Sequence, residues 1–247
     1  MEATLKDRFT ELWRKHFNGA DLPITFYYTD DGERAPLQTK DTPRCVIGVL
    51  GSIRQGNDMA CSGETVGCPG GRRYLGFTDS LAPNFEYFLS HGIPGRMRGE
   101  RYVKSPEMVK QILAQAPMLK APGRYIVFKR WDRLQAQDNP DVVVFFATPD
   151  VLSGLFTLAR FDDTARDAIA TPFGAGCSSI VLHPYMEKDA ANPRAIIGVF
   201  DPSARPYVPA NTLSFAVPFA KFVRMVDNME ESFLITDSWT RIQKRIE

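Results

Sequence analysis

Residues 140–150 read PDVVVFFATPD, with six consecutive apolar side chains, Val142–Ala147, held between two prolines. A short apolar run bounded by turn residues reads as a buried strand. Pro149 then stands where a helix can begin, because the N–H it lacks is one that a first helical turn leaves unbonded anyway. The spacing after it predicts a helix over 149–161. A strand apolar on both faces needs cover on both sides, and that favours a sheet packed between helices.

Outward from this unit, strands and helices mix along the whole chain. Ile24–Thr29, Tyr125–Trp131, Ala195–Phe200 and Leu213–Val217 read as strands, and the compact run CVIGVL (Cys45–Leu50) reads as another buried one. Leu5, Phe9, Leu12, Trp13 and Phe17 recur at helical spacing and predict a helix over 4–17, with Thr4 as its cap and Asn18-Gly19 as its end. Asn84–Ser90 reads as a short helix, and Ser105–Gln115 as a longer one with Ser105 as N-cap and Pro106 at the first position. Phe219, Phe222, Val223 and Val226 mark a helical stripe, and Thr236 or Ser238 opens a last helix, so C-terminal helices are expected over 219–246. No linker and no long repeat interrupts this order. The expectation is a single domain over 1–247, α/β or α+β, with a mixed β-sheet flanked by helices.

The 247 residues carry 30 Lys+Arg against 29 Asp+Glu, a formal net charge of +1, and 44% are hydrophobic. That balance excludes a disordered chain and a disulfide miniprotein, and it argues against nucleic acid as a partner. The first 17 residues are charged throughout and lack the apolar core of a signal peptide, and Val142–Ala147 is far too short to cross a bilayer. No membrane partner and a cytoplasmic location are therefore expected. In a reducing compartment cysteines serve as thiols or metal ligands more often than as disulfides.

Four cysteines are present: Cys45, Cys61, Cys68 and Cys177. Cys61 and Cys68 flank ACSGETVGCPGG, where glycines 51, 56, 63, 67, 70 and 71 (with Gly76 beyond) predict a loop. Cys177 sits in a second small-residue loop, GAGCSS. Thiolates bind soft metals and iron–sulfur clusters, and glycines beside them let backbone N–H groups approach the cluster sulfurs. Gly70, Gly71, Gly174 and Gly176 are the glycines so placed. The Cys68-Pro69 pair is of the kind that closes many cluster-binding runs, although no C-x-x-C spacing occurs. The competing readings are inert buried cysteines and a catalytic thiol at Cys177, activated at a helix start after Gly174-Ala175-Gly176. A histidine base for that thiol is poorly supplied: His183 lies six positions on, before a proline that reads as a helix end. Arg72 and Arg73 follow the CPGG turn, and Asp201 and Arg205 follow the strand AIIGVF. They are candidates to orient a small anionic molecule. The run Arg96, Arg98, Arg101 and Lys104 reads as solvated surface.

CPGGRRYLGF (Cys68–Phe77), PDVVVFFATPD, FGAGCSSI (Phe173–Ile180), RAIIGVFDPSAR (Arg194–Arg205) and LSFAVPFAKF (Leu213–Phe222) occur in this order. Together they resemble the uncharacterised family known as domain of unknown function 169, from about Cys45 to Trp239. The resemblance carries no settled activity. It implies that Cys45, Cys68 and Cys177 belong to the family's cysteine-bearing blocks, as do Gly70, Gly71, Gly174 and Gly176, and it leaves Cys61 outside them. The expected function is binding of an iron–sulfur cluster or another thiolate-ligated metal, with Cys45, Cys61, Cys68 and Cys177 as candidate ligands and a redox or lyase-type role. A cluster on three thiolates leaves one iron open to substrate. The alternative is a metal-free small-molecule-binding module with a buried or reactive Cys177.

Overall fold

Alternation along the strands decides which helix layer each side chain serves. A computed structural model describes residues 3–38 and 45–246; the polar segment 39–44, expected to lead into a strand, lies outside the described residues. In chain order the strands are β1 (Ile24–Thr29), β2 (Met59–Ser62), β3 (Gly92–Ile93), β4 (Met97–Arg98), β5 (Tyr125–Arg130), β6 (Val142–Ala147), β7 (Ile169–Ala170), β8 (Ala195–Gly198) and β9 (Leu213–Pro218). The helices are α1 (Ala3–His16), α2 (Val46–Arg54), α3 (Pro69–Tyr74), α4 (Phe85–Leu89), α5 (Pro106–Gln115), α6 (Pro149–Arg160), α7 (His183–Met186), α8 (Phe219–Asn228) and α9 (Asp237–Gln243).

Seven strands form one mixed sheet in the order β2-β5-β1-β6-β9-β8-β7, while β3 and β4 pair as a separate hairpin. β6 pairs antiparallel with β9 from Val142↔Pro218 to Ala147↔Leu213, and β7 pairs parallel with β8. Odd positions of β6 (Val143, Phe145, Ala147) face α1, α6, α8 and α9, where Phe9, Trp13, Phe17, Leu155, Phe222 and Trp239 close one core. Even positions (Val142, Val144) face α2, α7 and the segment before α7, where Ile47, Leu50, Ile53, Ile180 and Tyr185 close the other. The architecture is therefore α/β, with helices on both faces of the sheet. Among the described residues no helix is long and apolar enough to cross a membrane.

Three expected readings change. Cys45–Leu50, read as a strand, is the first half of helix α2. Its apolar positions do not stop at Leu50: Val46, Leu50 and Ile53 stand at i, i+4 and i+7 and are all buried, which is a helical face. The glycine-dense stretch 51–71, read as loop, contains β2 and the start of α3. His183-Pro184, read as a helix end, instead opens α7, because a proline is tolerated in a first turn. The caps at Ser105 and Thr236 are as expected: their hydroxyls accept from Met108 N and Trp239 N.

Candidate functional site

Three of the four cysteines stand at helix starts on the same face of the sheet. Cys45 is the N-cap of α2, Cys68 the N-cap of α3, and Cys177 immediately precedes a five-residue π-helical turn, Ser178–Leu182, that runs into α7. Glycines let these starts meet. A Cβ on Gly71 would fall 2.8 Å from Val46 Cγ2, and one on Gly176 would fall 2.9 Å from Ile47 Cγ1. Both glycines therefore allow a neighbour of a cysteine to press on the first turn of α2. Gly174 is close to Ser178, whose Oγ would sit 2.6 Å from an added Cβ. Gly70 has room for a side chain, with Cys68 Sγ 3.9 Å from the added atom.

The thiols differ in character. Gly71 N donates to Cys68 Sγ at 3.3 Å, so this thiol caps the first turn of α3. Cys177 is buried, and burial first, then the neighbouring Cys68, Cys45 and Asp201, pushes its pKa well above the ordinary value. The same interactions place Cys45, Cys68 and Asp201 within electrostatic reach of Cys177. Cys61 stands apart. Its thiol donates to Gln38 Oε1 at 2.9 Å, and burial alone pushes its pKa up to about 12. Among the described residues, no group of three or more His, Cys, Asp or Glu side chains is gathered as the ligands of one metal ion.

Asp201 is the polar focus. It is only 4% exposed, Ser203 donates to its Oδ2 at 2.9 Å, and its Oδ1 is buried with no hydrogen-bond partner. Burial raises its pKa, against weaker lowering by Ser203 and the Gly176 and Ala204 amides. Such an orphan oxygen requires an explanation, because buried polar atoms are nearly always paired. The backbone leading to it is strained. Val199 has φ of +64°, a left-handed conformation that a β-branched residue rarely adopts. Val199 N donates to Ser179 Oγ at 3.1 Å, and that hydroxyl donates to Gly176 O at 2.9 Å, so the strained residue is locked to the π turn. π turns and strained residues cluster at functional sites. Tyr74 completes the surroundings: burial, then Cys177, raises its pKa to about 12, and Asp201 and Cys68 add to the shift.

Neither Val199 nor Tyr74 carried a sequence signal, because strain and proximity depend on the fold. The arginines behave differently from expectation. Arg72 Nε donates to Val66 O at 2.8 Å, and Arg73 donates to Asp79 O. Arg205 donates to Thr212 O, to Pro209 O at 3.3 Å and to Ala210 O at 2.6 Å. Those bonds tie Arg205 to its own loop rather than leaving it free for an anion. His183 belongs to a different cluster, with its pKa lowered by burial and Arg194 and raised by Glu187.

Asp201→Asn is expected to raise stability at neutral pH by about 1–3 kcal/mol, since it removes a buried, under-paired charge. The carboxyl's raised pKa means that the fold favours its protonated form. The wild-type contribution is present in acid and lost as pH rises through the raised value. The advantage of Asn should therefore vanish near and below the ordinary carboxyl pKa of 3.8. Urea unfolding at neutral and acid pH checks this; equal advantage at both would show that Oδ1 is not charged and unpaired.

A family model spans most of the chain, matching residues 15–228. The chain belongs to the domain of unknown function 169 family. The description of domain of unknown function 169 is "uncharacterised ArCR", which assigns no activity. The matched region includes all four cysteines, the π turn and Asp201, and leaves out α9. No curated protein and no solved structure matches the chain.

Proposed function

We propose that this family member binds an iron–sulfur cluster on Cys45, Cys68 and Cys177 and has a redox or lyase-type role in the cytoplasm. The observation supporting this reading is that Cys45 and Cys68 start helices and lie, with Asp201, within electrostatic reach of Cys177, which is more than a hundred positions further along the chain. The thiols fit a polynuclear centre better than a single ion, because cluster thiolates attach to different iron atoms and need not gather round one point. A bound cluster would supply electron transfer, or an iron without a thiolate at which substrate could bind. The chain's own residues supply the rest. Each thiol must lose its proton to ligate, so burial of Cys177 makes loading release protons and improve as pH rises. Asp201 and Tyr74, both raised by burial, can hold a proton at the site. Cys61, engaged with Gln38, has no part in this reading.

A second reading, a metal-free small-molecule-binding module with Cys177 in the pocket wall, is favoured by the lack of a one-ion ligand group among the described residues. Anaerobic reconstitution with ferrous iron and sulfide separates the two. The cluster reading expects bound iron and sulfide with visible absorbance, unchanged in Cys61→Ser and reduced to background in Cys68→Ser and Cys177→Ser. A colourless wild-type protein without bound iron rejects it. Iodoacetamide then tests the second reading: a wall residue labels more slowly than Cys45 and Cys68, whereas faster labelling of Cys177 identifies a reactive thiol.

A further inference from the structure

The segment between α4 and α5 holds positive charge that forms no ion pair among the described residues. Its β3–β4 hairpin turns at Pro94-Gly95, with Gly92 and Gly95 at φ of +78° and +68°. The returning strand is pressed closely onto the start of the segment: a Cβ on Gly99 would fall 2.1 Å from Ser90 O and 2.3 Å from Gly92 N. Glu100 N and Arg101 N then donate to Phe88 O at 2.7 Å and Ser90 O at 2.9 Å. Arg101 holds a left-handed φ of +57°, uncommon for a residue other than glycine. The hairpin borders an open cleft of about 710 Å³ lined by His91, Ile93, Arg96, Met97, Arg98 and Arg101.

Elsewhere, arginines find carboxylates: Arg8 with Asp227, Arg54 with Asp21, Arg130 with Asp132 and Arg194 with Glu187. Arg96, Arg98 and Arg101 make no ion pair and no side-chain hydrogen bond among the described residues. Adjacent Glu100 is turned away, accepting from the Tyr102 hydroxyl at 2.9 Å. Three guanidinium groups round one cleft repel one another unless an anion joins them, and their planar forks match phosphate oxygens. The formal net charge is only +1, so the cluster is a local arrangement and not a surplus spread over the surface. Tyr102 connects this segment to the thiol site: its ring meets Phe173 edge-on at 6.3 Å, and its hydroxyl lies against Ser203, the partner of Asp201.

We propose that this cleft binds the phosphate or diphosphate group of a small molecule, with Arg96, Arg98 and Arg101 on the phosphate oxygens. The proposal rests on the unpaired arginines and not on the cluster reading, so metal-free, full-length protein suffices to test it. Calorimetric titration with inorganic pyrophosphate at low ionic strength is expected to show one site per chain. Arg96→Gln and Arg98→Gln should each weaken binding about tenfold or more, as loss of a charged hydrogen bond does. Arg241→Gln, on α9, should leave it unchanged. All three arginines at issue are exposed, and circular dichroism checks that the variants fold. Absence of binding, or binding that survives the triple Arg→Gln variant, overturns the proposal. A single-stranded oligonucleotide that binds the same arginines more tightly than pyrophosphate also overturns it, by identifying a nucleic-acid surface instead.

Discussion

Replacing Lys221 by methionine is expected to lower the unfolding free energy by about 3–5 kcal/mol at neutral pH, the loss typical when one member of a buried ion pair is removed. Lys221 Nζ donates to Asp163 Oδ2 at 2.8 Å, and the two side chains are 1% and 2% exposed. Asp163 also accepts from Ala165 N at 2.9 Å and Asn192 Nδ2 at 3.1 Å, so it fastens α8 to the turn after α6 and to the approach to β8. Burial by itself would raise the Asp163 pKa, but Lys221, Ala165 and Asn192 outweigh it and hold the carboxyl well below the ordinary range. A depressed carboxyl contributes stability that is present above the unfolded pKa and lost as pH falls through the folded one. The difference between wild type and Lys221→Met should therefore narrow as pH drops below 3.8, the ordinary value. The double variant Lys221→Met/Asp163→Leu should recover most of the loss, since no uncompensated charge stays buried. Urea midpoints across pH measure all three. A single variant within about 1 kcal/mol of wild type, the range of an exposed pair, would show that the pair is not desolvated.

Gly198→Ala is expected to destabilise the protein by about 1–3 kcal/mol and to speed alkylation of Cys177. Gly198 ends β8, and a Cβ there would fall 2.0 Å from Ser179 Oγ and 2.1 Å from Ser179 Cβ. Ser179 cannot turn aside freely, because its hydroxyl links Gly176 O to Val199 N. The π turn would have to lift from the sheet, carrying Cys177 toward solvent. Ser179→Gly in the same chain removes the clashing atoms but also the hydroxyl that accepts from Val199 N, so it should restore the stability only in part. Unfolding midpoints and iodoacetamide rates measure the two effects. Gly198→Ala with wild-type stability and labelling would mean that the sheet does not hold the turn in place.

The strands of the sheet were legible where the chain is apolar on both sides. Val142–Ala147 forms β6 over the expected residues, and Pro149 starts α6 as its missing N–H allows. The reading failed at Cys45–Leu50 for a physical reason. A short apolar run suits a buried strand and a buried helix equally, and Ile53, three residues beyond the run, decides for helix. The arginines show a different limit. Residue type places a cation near a turn, but Arg205 spends its donors on three carbonyls of its own loop, while Arg96, Arg98 and Arg101, read as solvated surface, line a cleft without partners among the described residues.

By itself the sequence determined the long strands β1, β5, β6 and β9, the sandwiching of a sheet by helices and the family, because apolar periodicity, caps and ordered blocks are local properties. Tertiary structure decided that Cys45 and Cys68 lie within electrostatic reach of Cys177, that Cys61 donates to Gln38, and that Asp201 Oδ1 is buried without a partner among the described residues. Those facts depend on which segments pack together, and the approach of Cys177 to Cys45 and Cys68 spans more than a hundred positions, a separation at which no sequence spacing predicts proximity.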